Sequence, residues 1–214
     1  MKKGLFISFE GIDKSGKSTQ ISLLADYFKR RGYEVVTTCE PGGTELGKII
    51  KEALLSPSLD GMSRISELFL YLADRREHVE KVIKPALRGG KVVISDRFVD
   101  ASVAYQGYGR GISISWIEDL NKIVTGGILP DITFLLDISP SLAKERSEKK
   151  DRMEREDTKF YEKVRQGYLE IAKSFPDRIR IIKATRGVWE IFSEVKKEIS
   201  KYLDKGEKEC RSKT

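Results

Sequence analysis

The segment Gly11-Ile-Asp-Lys-Ser-Gly-Lys-Ser18 limits what this chain can fold into more than any other feature. It satisfies the spacing GxxxxGK[ST], the pattern of a loop that turns backbone N–H groups inward on phosphate oxygens. Gly11 and Gly16 permit the tight turn. Lys17 brings a positive charge to the β and γ phosphates of a nucleoside triphosphate, and Ser18 offers a hydroxyl to magnesium. The segment follows an apolar run over 5–9 and precedes an amphipathic stretch from Lys17. That order aims the positive end of a helix dipole at the anion. The loop therefore predicts triphosphate binding by Gly11, Ile12, Asp13, Lys14, Ser15, Gly16, Lys17, Ser18 and Thr19. It leaves the reaction open.

The pattern beyond the loop alternates strand and helix. Apolar or β-rich runs predict strands over 5–9, 33–38, 91–95, 132–137 and 178–183. Helical periodicity predicts helices over 17–31, 44–55, 63–87, 100–106, 113–125, 141–147, 158–175 and 188–203. Pro85 falls near the end of the long third helix, where it bends or closes it. Five strands alternating with helices predict an α/β fold of the P-loop NTPase type: a five-stranded parallel sheet flanked by helices, with a mobile lid. Ligands in such sheets bind beyond the carboxyl ends of the strands. Residues 1–204 read as one domain and 205–214 as a polar tail.

Charge narrows the partners without choosing among them. A net charge of +7 favours anions, whether nucleotides, nucleic acid or an anionic membrane. No run approaches the ~20 apolar residues of a membrane span, and the N-terminus has no cleavage-site signature. The expected location is the cytoplasm. Cys39 and Cys210 are far apart and no CxxC pair exists, so zinc and a disulfide framework are not indicated. The single histidine, His78, excludes sites that need several His ligands; a satisfied or surface role is expected for it.

Asn121-Lys122 is followed by Ile123 and Val124, so the Asn-Lys-x-Asp element that reads guanine in GTPases is absent there. A small-molecule kinase needs an acceptor pocket and a basic lid, and both have candidates. Asp96-Arg97 closes the predicted third strand; the acid can serve a magnesium shell and the arginine a phosphate, or the pair can be a helix cap and a surface charge. Tyr71 and Arg75 are four apart on one helix face, as an aromatic and a guanidinium that hold a base, or as a core aromatic and a surface arginine. Ser102, Tyr105 and Gln106 share another face. The stretch 144–156 carries six basic and five acidic residues. It reads either as a solvated helix laced with ion pairs or as a lid whose arginines neutralise a transferred phosphoryl group.

Together these pieces resemble the thymidylate kinase (dTMP kinase) family over nearly the whole chain, from Phe6 to about Leu203. The segments that carry the resemblance are Phe9-Glu-Gly-Ile-Asp-Lys-Ser-Gly-Lys-Ser-Thr19, Glu40-Pro-Gly-Gly-Thr44, Val82-Ile-Lys-Pro-Ala-Leu87, Asp96-Arg-Phe98, Ala104-Tyr-Gln-Gly107 and Leu129-Pro-Asp131. The resemblance implies transfer of the γ-phosphoryl of ATP to dTMP with Mg²⁺, by a homodimer; with no apolar span, basic stripe or aromatic platform in the sequence, neither a membrane nor a nucleic-acid partner is expected. It implies that Asp13 meets the deoxyribose 3′-hydroxyl, Tyr71 stacks on thymine and Arg75 reads it. Ser102 and Gln106 fall where the family contacts thymine, and Tyr105 where a tyrosine crowds the sugar 2′ position. Arg97 matches the arginine on the dTMP phosphate, Asp96 its acidic neighbour at the metal with Ser18, and Arg146 and Arg152 lid residues that approach ATP.

The chain departs from the family at Tyr71, where most members have Phe; the extra hydroxyl needs a partner. Family members place the transferring cation either in the phosphate loop or in the lid, and this chain carries both Lys14 and Arg152. The planar guanidinium grips phosphoryl oxygens better than an ammonium, which favours Arg152 with Lys14 assisting. The acceptor is an already ionised phosphate oxygen, so Lys17, Arg97, Arg152 and Mg²⁺ would act by alignment and charge neutralisation. The competing readings are a kinase for another pyrimidine monophosphate such as dUMP, a nucleic-acid-stimulated P-loop ATPase, and a non-catalytic nucleotide-dependent partner.

Overall fold

The computed structural model describes residues 4–144 and 151–211, with side chains described as far as Asp204. Arg146 and residues 145–150 of the expected lid lie outside the described residues.

The first strand, β1 (Leu5–Glu10), runs into the glycine loop, and α1 (Lys17–Lys29) leaves it. Two residues past α1's cap the chain turns at Gly32, whose φ of 80° suits a residue without a Cβ. Then come β2 (Val35–Cys39) and α2 (Glu45–Leu55). Thr44 starts α2 from outside as its N-cap, its Oγ1 accepting from the Gly47 amide at 2.9 Å. Ser63 caps α3 (Arg64–His78) in the same way through the Ser66 amide.

The helix predicted over 63–87 is continuous but not uniform. After α3 comes a π-helical turn, Val79–Ile83, and then α4 (Lys84–Arg88). Pro85 has no amide to give to the preceding turn and its ring crowds the carbonyl there, so widening the turn relieves both problems. Next are β3 (Val92–Asp96), a short α5 (Val99–Ser102) that passes into a π-helical turn over Val103–Gly109, and α6 (Ile114–Thr125). The second half of the chain holds β4 (Ile132–Asp137), α7 (Pro140–Lys144), α8 (Thr158–Ser174), β5 (Ile179–Lys183) and α9 (Val188–Arg211). α9 continues past the end expected near residue 203.

All five strands are parallel, in the order β2-β3-β1-β4-β5. This is the five-stranded sheet flanked by helices that the sequence predicts. Both faces are covered, which explains why the strands read as nearly unbroken apolar runs. Along β1, Ile7 and Phe9 pack with Leu24 and Phe28 of α1. Phe6 packs on the other face with Val79, Ile83 and Phe98. Among the described residues no helix is long and apolar enough to cross a membrane.

The topology locates the site. From β1 the chain leaves toward β2 at one edge; from the adjacent β3 it leaves the opposite way, toward β4. The diverging connections open a crevice beyond the carboxyl ends of β1 and β3. The glycine loop and Asp96-Arg97 face each other across it.

Glu10, at the end of β1, is fully buried beneath this crevice. Its carboxyl accepts from the Phe98 amide at 2.7 Å and the Tyr168 hydroxyl at 2.9 Å. Burial and the nearby Asp100 charge push this carboxyl up from 4.5 to about 8, against the pull of Arg97. A carboxyl that holds its proton more tightly when folded adds stability below its unfolded value and loses it as pH rises through the folded one. The Glu10 contribution is therefore present at pH 4.5 and gone above about pH 8. Glu10→Gln mimics the protonated form and lacks this dependence. In thermal melts from pH 5 to 8.5, the variant should match the parent at the acid end and exceed it by at least about 3 °C at the alkaline end. A melting difference that does not change with pH would contradict this assignment.

Candidate active site

The glycine loop is built for an anion. Gly11 has φ 129°, and a Cβ there would lie 2.5 Å from the Leu136 carbonyl oxygen. Gly16 has φ 96° and caps α1 without a side-chain acceptor. The first amides of α1 are thus left for a ligand, at the positive end of its dipole. Lys14 also takes a positive φ, 62°, a backbone strain that recurs at working sites. Lys17 folds back over the loop and donates to the carbonyls of Gly11 and Ile12, each at 3.1 Å. Burial, with repulsion from Arg97, pushes its ammonium down to about 8. A phosphate arriving at Lys17 favours the charged form again.

Arg97 is the bridge across the crevice. Its φ is 73°, a conformation held by its own amide bonding Phe9 O at 2.9 Å and by the next amide, Phe98, bonding Glu10. One guanidinium nitrogen donates to Gly11 O at 2.8 Å and the Tyr168 hydroxyl at 3.1 Å. The other donates to Asp13 at 2.8 Å and the Tyr105 hydroxyl at 3.2 Å. Burial opposes ionisation of Asp13, but Arg97 and then Lys17 outweigh it and hold the carboxyl below its usual range. Asp96 sits beside them with its Oδ1 buried and without a hydrogen-bond partner among the described residues.

A cleft of about 610 Å³ opens over these groups. Asp13, Lys14, Gly16, Lys17, Ser18, Thr19, Asp96 and Arg97 line it together with Tyr71, Arg75, Ser102, Tyr105 and Gln106. Gly11, Ile12 and Ser15 shape the loop from behind the wall.

Arg75 is no surface arginine: it is 1% exposed. Its Nε donates to Glu40 at 2.8 Å, Nη1 to Ser102 Oγ at 2.8 Å and Asn121 Oδ1 at 2.6 Å, and Nη2 to Phe98 O at 2.9 Å. Four of the five N–H donors of a guanidinium are thereby committed, leaving one on Nη2. Tyr71 lies one turn earlier. Its hydroxyl finds no partner among the described residues, and burial raises its pKa above the ordinary tyrosine value.

The lid side differs from the sequence reading. Arg152, expected as the leading cation, does not line this cleft. It is 4% exposed and turned toward α2 and α3. Its Nε donates to Leu54 O at 2.6 Å, and its Nη2 lies 2.7 Å from Glu67 as an ion pair of poor hydrogen-bond angle. The cause is Glu67, a buried carboxylate whose charge draws both Arg152 and Arg110. Of the two candidates Lys14 and Arg152, it is Lys14 that lines the cleft, 3.5 Å from Glu154.

Several contributors escaped sequence reasoning. Glu40 lies inside a quoted signature segment, yet its use emerges only in space: it holds Arg75 and, at 2.8 Å, the fully buried His78. His78 also meets Thr38 Oγ1 at 2.6 Å and so is a satisfied core histidine. Lys51, Cys39 and Val188 line the cleft without a motif to announce them. Glu67 had no signal beyond its position one turn before Tyr71.

Comparison with known proteins fits this geometry. The thymidylate kinase family model matches residues 9–195. A thymidylate kinase of Symbiobacterium thermophilum is 43% identical over 201 residues, covering 93% of this chain and 94% of its own. One from a Sulfurihydrogenibium species is 46% identical over 189 residues, covering 88% and 93%. The crystal structure of thymidylate kinase from Ehrlichia chaffeensis superposes with a TM-score of 0.77 at 41% identity, covering 92% of this chain and 99% of that one. A phosphate loop and an arginine bridge in one crevice, with identity of this extent, lead to one conclusion: the chain belongs to the thymidylate kinase family.

Proposed function

We propose that this chain transfers the γ-phosphoryl group of ATP to dTMP, giving dTDP and ADP. The observation that carries the reading is that a triphosphate loop and a base pocket share one cleft, joined by Arg97. The loop amides and Lys17 hold the donor phosphates. Arg97 meets the acceptor phosphate, Asp13 the sugar 3′-hydroxyl, and Tyr71, Arg75, Ser102 and Gln106 the base. Tyr105 crowds the 2′ position and so favours deoxyribose.

Magnesium fits this donor set. Ser18 and Asp96 both line the cleft, and the unpartnered Asp96 Oδ1 is a hard oxygen suited to the cation or to its water shell. Bound there, the ion would neutralise charge on the β and γ phosphates. The protein's own part is to align two anions and cancel their repulsion, and no covalent intermediate is needed. Both substrates are cytoplasmic metabolites, the basis for assigning the enzyme to the cytoplasm.

The second cation is assigned to Lys14, because it faces the cleft while Arg152 is held against Glu67. Homodimerisation has its own support. Leu46 and Ile49 on α2, Ile65 and Phe69 on α3, and Trp116 and Ile123 on α6 are exposed apolar side chains on helices that pack side by side. Phe69 and Trp116 touch edge to face at 6.0 Å. An apolar patch spanning three helices marks an interaction surface, and a two-fold dimer is its simplest use.

Lys17→Ala should lower dTMP-dependent ADP release by about 10²-fold or more in a folded variant; unchanged turnover would overturn the scheme. Lys14→Ala should lower kcat by about tenfold more than Arg152→Ala does. The reverse ranking would mean that Arg152 leaves Glu67 for the transferred group. Phe69→Glu should shift the mass measured by light scattering from two chains to one. A parent that already runs as a monomer would refute the dimer.

A further inference from the structure

Glu67 sits behind the base pocket, 1% exposed, and touches three other side chains. Its Oε1 accepts from Gln106 Nε2 at 2.9 Å and from Arg110 Nε at 3.1 Å. Its Oε2 accepts from Arg110 Nη2 at 3.0 Å and faces Arg152 Nη2 at 2.7 Å. Burial opposes its ionisation, but the hydrogen bonds from Arg110 and Gln106 and the Arg152 contact outweigh that and keep the carboxyl below its usual range. An ionised carboxylate only accepts. It therefore fixes which end of the Gln106 amide points at it.

That choice has a consequence at the other end of the amide. With Nε2 held by Glu67, the remaining polar atom of Gln106 is its carbonyl oxygen. This oxygen receives no hydrogen bond from the described residues and is not sealed from the cleft that Gln106 lines. Arg75 contributes the opposite polarity, its one uncommitted N–H. Gln106 and Arg75 thus offer one acceptor and one donor between them. A 4-oxo pyrimidine presents the complement, an N3–H donor and an O4 acceptor. Cytosine presents the reverse, an N3 acceptor and an N4 amino donor.

We infer that Glu67 is a specificity-determining residue that sets the polarity of the base pocket through Gln106, so that 4-oxo pyrimidines are accepted and 4-amino pyrimidines rejected. The inference rests on the reading of Gln106 and Arg75 as base contacts. Glu67 is a positioning residue in it, because it acts through Gln106. The reversal expected of Glu67→Gln follows from the surrounding charge. Arg110 and Arg152 would take the new amide's oxygen, leaving its NH₂ to face Gln106. Gln106 would then turn its oxygen toward residue 67 and its own NH₂ into the cleft. dTMP would lose an acceptor and dCMP would gain a donor.

The test is ADP release with dTMP, dUMP and dCMP as acceptors, compared as ratios of kcat/KM, which do not depend on the fraction of enzyme folded. In Glu67→Gln the dTMP-to-dCMP ratio should fall by about tenfold or more, the effect of mispairing one buried polar group. The dTMP-to-dUMP ratio should stay within about twofold, because those bases share the edge that Gln106 reads. General damage to the pocket would not separate the two ratios. Glu67→Asp, which keeps the charge beside the arginines but draws it back from Gln106, carries the same expectation if Glu67→Gln does not fold. A dTMP-to-dCMP ratio that holds in the Glu67 variants but falls in Gln106→Ala would overturn the role of Glu67 alone. A ratio that also holds in Gln106→Ala would overturn the reading of Gln106 as a base contact, and this inference with it.

Discussion

The bridge from Arg97 to the glycine loop is the contact on which the site depends. Two adjacent strands, β1 and β3, end at the same crevice and send their chains opposite ways, so nothing local joins their loops. Arg97 does, through Gly11 O, Asp13 and two tyrosine hydroxyls. Its left-handed backbone is a strained conformation, held from both sides by the Phe9 carbonyl and the Glu10 carboxyl. Such strain persists only where the surroundings over-determine it. The glycine loop and Arg97 are therefore held in a fixed relation by the chain's own contacts.

Buried charge is the second organising feature. Glu40, Arg75 and His78 form one cluster; Glu67, Arg110 and Arg152 form another. Charges removed from water give little net stability, since desolvation offsets most of their attraction. What they supply is direction. A guanidinium with four of five donors committed can offer the fifth in only one place, and an amide pinned by a carboxylate can face only one way. Glu40 and Arg75 line the cleft, and so does Gln106, the amide that Glu67 holds.

Much of the fold was legible in the sequence because local physics wrote it there. Glycine at the loop, apolar runs buried on both faces and caps such as Thr44 and Ser63 each leave a mark within a few residues. The glycine turn at Gly11 and Gly16 was legible for the same reason. The partners that aim the site were not. Glu40 meets Arg75 across 35 positions and Gln106 meets Glu67 across 39, and only the folded chain brings them together. For Arg152, residue type and position mark a lid cation, but they do not reveal the carboxylate that faces it here. The π-helical turn at Val79–Ile83 was visible only as Pro85, a sign that the helix must yield without a sign of how.

The central claim is that one cleft holds a triphosphate donor and a thymidine monophosphate acceptor. ADP release from ATP and magnesium, measured with dTMP, dUMP, dCMP, UMP and dGMP in turn, tests it most directly. The account predicts release that requires a monophosphate and is fastest with dTMP, with UMP disfavoured by Tyr105 and dCMP by the polarity of the pocket. ATP hydrolysis indifferent to the monophosphate, or led by a purine acceptor, would contradict it.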